Sequence, residues 1–215
     1  MNNQTIIYLV RHGQSESNIL STFTGQLDAC LSETGVLQAQ RVKDYFNGVK
    51  IDAIYSSDLI RAVNTIKPLA NERNLPIITD KNFREIDGGK WQGVVFDEIA
   101  EKYKADMQVW ISDLKNARCT GGESVVELGE RVCKALKNVC EQNANKTIII
   151  ATHATPVRAI LSFVEVGSVE NIGKVKWSPN ASITKLYFDG KNFKIEVLGD
   201  SAHLEGLITE LPKSV

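Results

Sequence analysis

Thr5-Ile6-Ile7-Tyr8-Leu9-Val10-Arg11-His12-Gly13 is the stretch on which the fold turns. From Thr5 to Val10 the chain is a continuous, largely β-branched and aliphatic run with no alternating polar face. That pattern suits a strand covered on both sides. It stops abruptly at Arg11-His12-Gly13. Thr147 to Thr152 repeats the design and also ends in a histidine, His153. Thr155 reads as the N-cap of the helix that follows, with Pro156 at its first position. Two buried strands that each release a histidine at the carboxyl end imply an open α/β sheet, in which ligands gather beyond the strand ends.

Working outward, Ala53 to Tyr55 is a second short strand ending in Ser56-Ser57, and Pro76 to Thr79 a third. Between them, Ala62, Val63, Ile66, Leu69 and Ala70 recur at helical spacing, with Pro68 expected to kink the helix. Val36 to Phe46 is an amphipathic helix introduced by Ser32 and closed by Gly48. Ser124 and Glu127 form a capping box for a long helix reaching about Asn143. Near the end, Ile183–Phe188 and Phe193–Leu198 flank Asp189-Gly190, a hairpin signal. The stretch from Ile86 to Thr120 is helical in pattern but breaks the strand-helix alternation. The expected architecture is an α/β three-layer α/β/α sandwich with a mostly parallel central sheet and a C-terminal hairpin. Residues 1–215 form one domain in this reading, with 86–120 as a helical insertion over the active site.

Composition narrows the function. Of 215 residues, 43% are hydrophobic and 24% charged, with a formal net charge of -1, and the cations are scattered, so the field of a nucleic-acid or membrane-surface binder is missing. No apolar run approaches the roughly 20 residues that span a bilayer. The N-terminal Met1-Asn2-Asn3-Gln4 has neither a basic nor an apolar signal region, so a cytoplasmic location is expected and the Asn-x-Ser/Thr matches at Asn3, Asn145 and Asn180 read as coincidental. Cys30, Cys119, Cys133 and Cys140 are too widely spaced for a redox or zinc pair and read as reduced core thiols, Cys133 and Cys140 on one helix face. No residue cluster has zinc or calcium spacing, so neither metal nor cofactor is expected. Trp91, Trp110 and Trp177 read as core or pocket-wall residues.

Several separated motifs occur in one order: Arg11-His12-Gly13-Gln14, Asn18, Thr24-Gly25, Leu31-Ser32-Glu33-Thr34-Gly35, Ser56-Ser57-Asp58-Leu59-Ile60-Arg61-Ala62, Phe83-Arg84-Glu85-Ile86, Gly122-Glu123-Ser124 and Thr152-His153-Ala154. Together they resemble the histidine phosphatase superfamily, the phosphoglycerate-mutase-like fold, from about Thr5 to Arg158. The resemblance implies that His12 attacks phosphorus and becomes a phosphohistidine, a job for a neutral imidazole. Arg11 and Arg61 supply the fork-shaped cations that a phosphate dianion requires. His153 corresponds to the family's second histidine, which hydrogen-bonds the transferring group. Glu85 is the matching general acid, and then the base that activates water. Asn18, Thr24 and Gly25 complete the substrate contacts. Glu123, at a helix N-terminus, reads as structural, and His203 echoes a family tail but reads equally as a surface histidine.

Within that resemblance the chain departs from the mutases. After Glu85 it has Ile86-Asp87-Gly88-Gly89 where mutases typically read Arg-His-Tyr-Gly, Gln14 where they carry glutamate, and Ser17 and Gln26 where they carry tryptophan. Lysines and arginines between Ile86 and Thr120 are balanced by acids, with no clamp for a second anionic group. The expected activity is hydrolysis of a small phosphomonoester, a sugar phosphate or a compound like α-ribazole phosphate. The alternatives are a cofactor-dependent phosphoglycerate mutase and a non-catalytic phosphate-binding module. The protein is expected to be a monomer or homodimer without nucleic-acid or membrane partners.

Overall fold

The computed structural model describes residues 4–209; Met1–Asn3, with the Asn3 match, and residues 210–215 lie outside the described residues. The elements run β1 (Thr5–Arg11), α1 (Glu16–Ile19), α2 (Glu33–Tyr45), β2 (Ala53–Ser56), α3 (Ile60–Arg73) and β3 (Ile77–Thr79). The 86–120 segment contributes α4 (Phe96–Lys102) and α5 (Lys104–Ser112). Then follow α6 (Val125–Gln142), β4 (Thr147–Thr152), α7 (Ala154–Val166), β5 (Ile183–Phe188) and β6 (Phe193–Asp200). The six strands lie in the order β3-β2-β4-β1-β5-β6, with β3, β2, β4 and β1 parallel and β5 and β6 antiparallel.

The unbroken apolar runs of β1 and β4 have a direct explanation. Ile7, Leu9, Ile148 and Ile150 pack on one side of the sheet with α6 and α7, whereas Tyr8, Val10, Ile149 and Ala151 pack on the other with α2 and α3. Successive side chains point to opposite faces. A strand with a helical layer on each face needs apolar residues at both parities, and three layers result. Among the described residues no helix is long and apolar enough to cross a membrane.

Local signals held at most element ends. Ser32 caps α2, accepting from the Gly35 N–H at 3.0 Å. Ser124 and Glu127 close a reciprocal capping box on α6. α3 continues through Pro68. The hairpin is present, but Phe188 pairs with Phe193, so its loop is Asp189–Asn192. Asp189 Oδ1 accepts from the Lys191 and Asn192 N–H groups at 2.8 and 2.7 Å, a side-chain turn that lengthens the loop past the Asp189-Gly190 pair. Cys133 and Cys140 are buried on α6 as expected and Cys119 is buried too, but Cys30 is exposed. Burial pushes the Cys133 and Cys140 thiols up to about 12, which keeps them protonated and unreactive.

The α7 start differs from expectation. The helix begins at Ala154, and His153, in extended conformation, occupies the N-cap position without a side-chain cap. Thr155 and Pro156 therefore lie inside the first turn. The Thr155 N–H, one of the free donors of a helix start, is answered from another part of the chain: Glu85 Oε2 accepts it at 3.3 Å. A carboxylate at the positive end of the helix does the work assigned to a threonine.

Candidate active site

Strand register brings the site together. Arg11 is paired with Thr152 across β1 and β4, and the His12 N–H continues the ladder to the Thr152 carbonyl at 2.9 Å. The next residues, His12 and His153, are thereby forced into adjacency, with ring centroids 5.1 Å apart. On the other flank of β4, the Ser57 N–H donates to the Ala151 carbonyl at 2.8 Å, so β2 delivers Ser57 beside His153. Three neighbouring strand ends thus present Ser57, His153 and His12 in a row.

Each ring has a defined hydrogen-bond partner. His12 Nδ1 lies 2.7 Å from the Gly13 carbonyl, a group that only accepts, so Nδ1 carries the hydrogen and Nε2 keeps its lone pair. His153 Nε2 lies 2.8 Å from Ser57 Oγ, and that oxygen already accepts from the Leu59 N–H at 3.3 Å. Ser57 Oγ thus ties the His153 ring to the end of β2. Burial above all, then the Arg61 and Arg11 guanidinium groups, holds His12 well below its ordinary value of 6.5. His153 is lowered too, first by burial, then by Arg61. Both rings are neutral.

The cations are buried with them. Arg11 and Arg61 are 5% and 1% exposed, and burial lowers both guanidinium groups to about 10, still charged at neutral pH. Arg11 Nη1 donates to the Ser178 carbonyl, and Arg61 donates to the Leu27 and Gly25 carbonyls at 2.8 and 2.7 Å. Arg11 Nε, Arg61 Nε and His153 Nδ1 are buried nitrogens with no hydrogen-bond partner among the described residues, as are Arg73 Nε and His203 Nδ1 elsewhere.

Arg11, His12 and Arg61 line one side of a cleft of about 650 Å³, counted out to bulk solvent, that Glu85, Asn18, Thr24 and Gly25 also line. Of the expected site residues only His153 is absent from the cleft wall; its ring is fully buried beside that of His12. Glu85 is half-buried, and its Oε1 accepts from the Ile86 N–H at 2.8 Å. Asn18 caps α1 through the Ser15 N–H at 3.0 Å, and Gly25 takes a positive φ of 52°, where a side chain would meet Gln92. The remaining wall is mixed: Ser17, Ser21 and Thr22 bring hydroxyls, while Phe23, Phe96, Trp110 and Trp177 bring aromatic rings. Phe96 and Trp110 come from α4 and α5, so the 86–120 segment does cover the site. Trp177 stacks under Arg158, whose guanidinium lies 4.0 Å from the ring centroid. His203 lies elsewhere, edge-on to Tyr45.

Sequence reasoning missed Asn180. It is 2% exposed, and its Nδ2 donates to the His12 carbonyl at 3.1 Å and to Asn18 Oδ1 at 3.2 Å. The Ala181 N–H donates to the same carbonyl at 3.1 Å, and Ala181 is held at a φ of 59° to do so. Strained backbone at such a point is typical of functional sites. The only signal in the sequence was a glycosylation-like match, which pointed the wrong way.

The two neutral histidines make stability depend on pH. Because their folded pKa values are depressed, the unfolded chain binds protons below about 6.5 that the folded chain refuses, so stability falls as pH falls through that value. Urea unfolding should give a smaller free energy at pH 5 than at pH 7, by up to about 1.4 kcal/mol per pH unit for each histidine. His12→Gln combined with His153→Gln should flatten that slope; a slope unchanged in the double variant would assign the acid sensitivity to other groups.

Comparison with known proteins points to one family. The family model for the histidine phosphatase superfamily (branch 1) matches residues 7–201. Phosphoserine phosphatase 1 of Hydrogenobacter thermophilus is 31% identical over 212 residues, covering 97% of this chain and 99% of that one. Phosphoglycerate mutase-like protein 4 of Arabidopsis thaliana is 31% identical over 202 residues, covering 93% and 86%. Among solved structures, Bacillus stearothermophilus YhfR superposes with a TM-score of 0.89 at 26% identity, covering 93% of this chain and 99% of that one.

Proposed function

From the chain's membership of the histidine phosphatase superfamily, branch 1, and its standing as a phosphatase, we propose that it hydrolyses a small phosphomonoester through a phosphohistidine at His12, with Glu85 moving the proton. The observation that carries this reading is the state of His12: neutral, with Nδ1 tied to the Gly13 carbonyl and Nε2 free, between two buried arginines. Nε2 attacks phosphorus in line, and the ester oxygen leaves with a proton from Glu85. Arg11 and Arg61 take up the charge on the equatorial oxygens, and His153, beside His12, hydrogen-bonds the transferring group as it passes. Glu85, now a carboxylate, removes a proton from water as that water attacks phospho-His12. Phosphate departs, and the site returns to its starting state.

The rest of the cleft supports a substrate body that is neutral and bears hydroxyls, a sugar or nucleoside-like group. Arg11 and Arg61 are the only cations in the lining, and both serve the phosphate, whereas the outer wall offers hydroxyls and aromatic faces. A second anion, such as the carboxylate of phosphoglycerate or phosphoserine, would lose water without gaining a cationic partner among the described lining residues. In a panel scored for released phosphate, sugar and nucleoside monophosphates should exceed phosphoserine and 3-phosphoglycerate in kcat/KM by about tenfold or more, the effect of roughly 1.4 kcal/mol. 3-Phosphoglycerate should be scored in parallel for isomerisation. Efficient isomerisation with little phosphate release would make the chain a mutase.

A further inference from the structure

We infer that Arg131 and Glu123 are positioning residues for the proton step, acting as a bracket that fixes the backbone on both sides of Glu85. The inference rests on the assignment of Glu85 proposed above. Residues 85–88 lie in neither helix nor strand, so no regular ladder fixes the height or angle of the Glu85 side chain. Arg131 supplies what the ladder does not. From the second turn of α6 its Nη1 donates to the Asn82 and Arg84 carbonyls at 2.8 and 2.9 Å, and its Nη2 donates to the Glu85 carbonyl at 2.8 Å. Glu123 completes the frame. It takes Arg131 in a bidentate pair, Nε to Oε1 at 2.6 Å and Nη2 to Oε2 at 2.9 Å. It also grips the chain beyond Glu85, accepting the Asp87 N–H on Oε2 at 3.1 Å and donating its own N–H to the Asp87 carbonyl at 2.9 Å.

An ion pair placed for stability alone would need no such arrangement, since exposed pairs contribute little. Here the side chains are only 20% and 13% exposed, and the rigid planar fork is spent on three successive-neighbourhood carbonyls of one loop. The anchor is the N-terminal part of α6, itself locked by the Ser124–Glu127 capping box. The carboxylate faces the start of α7 while its backbone is pinned to the start of α6. Proton transfer to a leaving oxygen depends steeply on that placement, and a shift of about 1 Å can cost on the order of a hundredfold.

The test separates positioning from general stability by the leaving group. Phosphoenzyme formation would be followed by rapid quench in a single turnover, with p-nitrophenyl phosphate, whose leaving group departs as a stable anion, and with an alkyl phosphomonoester, whose leaving group must be protonated. Arg131→Met should slow transfer from the alkyl ester about 10- to 100-fold and from the aryl ester less than about threefold, with KM nearly unchanged. Arg131→Lys, which keeps the charge but not the fork, should behave like Arg131→Met. Equal slowing of both esters in Arg131→Met would overturn the inference. Glu85→Gln is the reference. If it discriminates between the esters and Arg131→Met does not, the bracket is wrong and the Glu85 assignment stands; if Glu85→Gln does not discriminate, the Glu85 assignment falls and the bracket with it. Should Arg131→Met fail to fold, Glu123→Gln carries the test, with selective slowing of the alkyl ester in support and equal slowing against.

Discussion

Exchanging His12 for alanine will abolish the phosphoenzyme and turnover together, lowering kcat by on the order of 10⁴- to 10⁶-fold, as removal of a nucleophile from an assembled site does. The size of the effect follows from the surroundings. The Arg11 and Arg61 cations share the cleft wall with His12, and Asn180 and Ala181 hold its backbone carbonyl. In the proposed mechanism these groups serve one Nε2 lone pair, and without it no bond to phosphorus forms. The check is a brief incubation with labelled substrate followed by acid and base treatment. The wild-type adduct should be lost in acid and survive base, as a phosphohistidine does, and His12→Ala should carry none. An adduct that persists in the variant, or turnover near the wild-type rate, would remove His12 from the mechanism.

The second large effect is expected at Arg61. Arg61→Met should lower kcat/KM by on the order of 10³- to 10⁵-fold, the range over which a charge-stabilising arginine acts in phosphoryl transfer. Arg61→Lys should recover little of it. The guanidinium spends two of its arms on the Leu27 and Gly25 carbonyls, which shape the substrate side of the cleft, and a lysine has no planar fork with which to hold both. Steady-state kinetics over a range of inorganic phosphate would test this: both variants should bind the product anion more weakly. Arg61→Lys with near wild-type kcat/KM would mean that charge alone, and not the fork, is required.

The groups proposed to react could be picked out of the sequence because they sit at strand ends. An unbroken apolar run states that its strand is central, the residue after it must lie at the sheet's carboxyl edge, and Arg11, His12 and His153 satisfy that condition without knowledge of any contact. Glu85 was legible only through the motif around it, since its segment has no periodicity. What stayed hidden is what depends on pairing between distant loops. Asn180 is separated from His12 by 168 positions, and nothing local in Ser178-Pro179-Asn180-Ala181 announces that its amide is buried against the His12 backbone. Arg131 looks like a solvent-facing residue of an amphipathic helix until the 82–87 loop is laid over it. The start of α7 was misread for a related reason: Thr155-Pro156 is a good local cap signal, but a carboxylate 70 positions away reaches the helix end instead.

The walls of the cleft come from two sources, and this has a consequence for how such a protein can change over generations. The atoms proposed to react are set by strand ends in the middle of the sheet, where a shift of one residue would misdirect every side chain of a buried strand. The contacts available to the substrate body come from the 21–27 loop, from α4 and α5 and from Trp177. A lineage can therefore try new loop sequences, lengths and aromatic arrangements while its reaction chemistry is inherited intact, so catalytic competence and substrate preference are open to selection as nearly separate traits. A phosphoserine phosphatase and a phosphoglycerate mutase-like protein are each 31% identical to this chain.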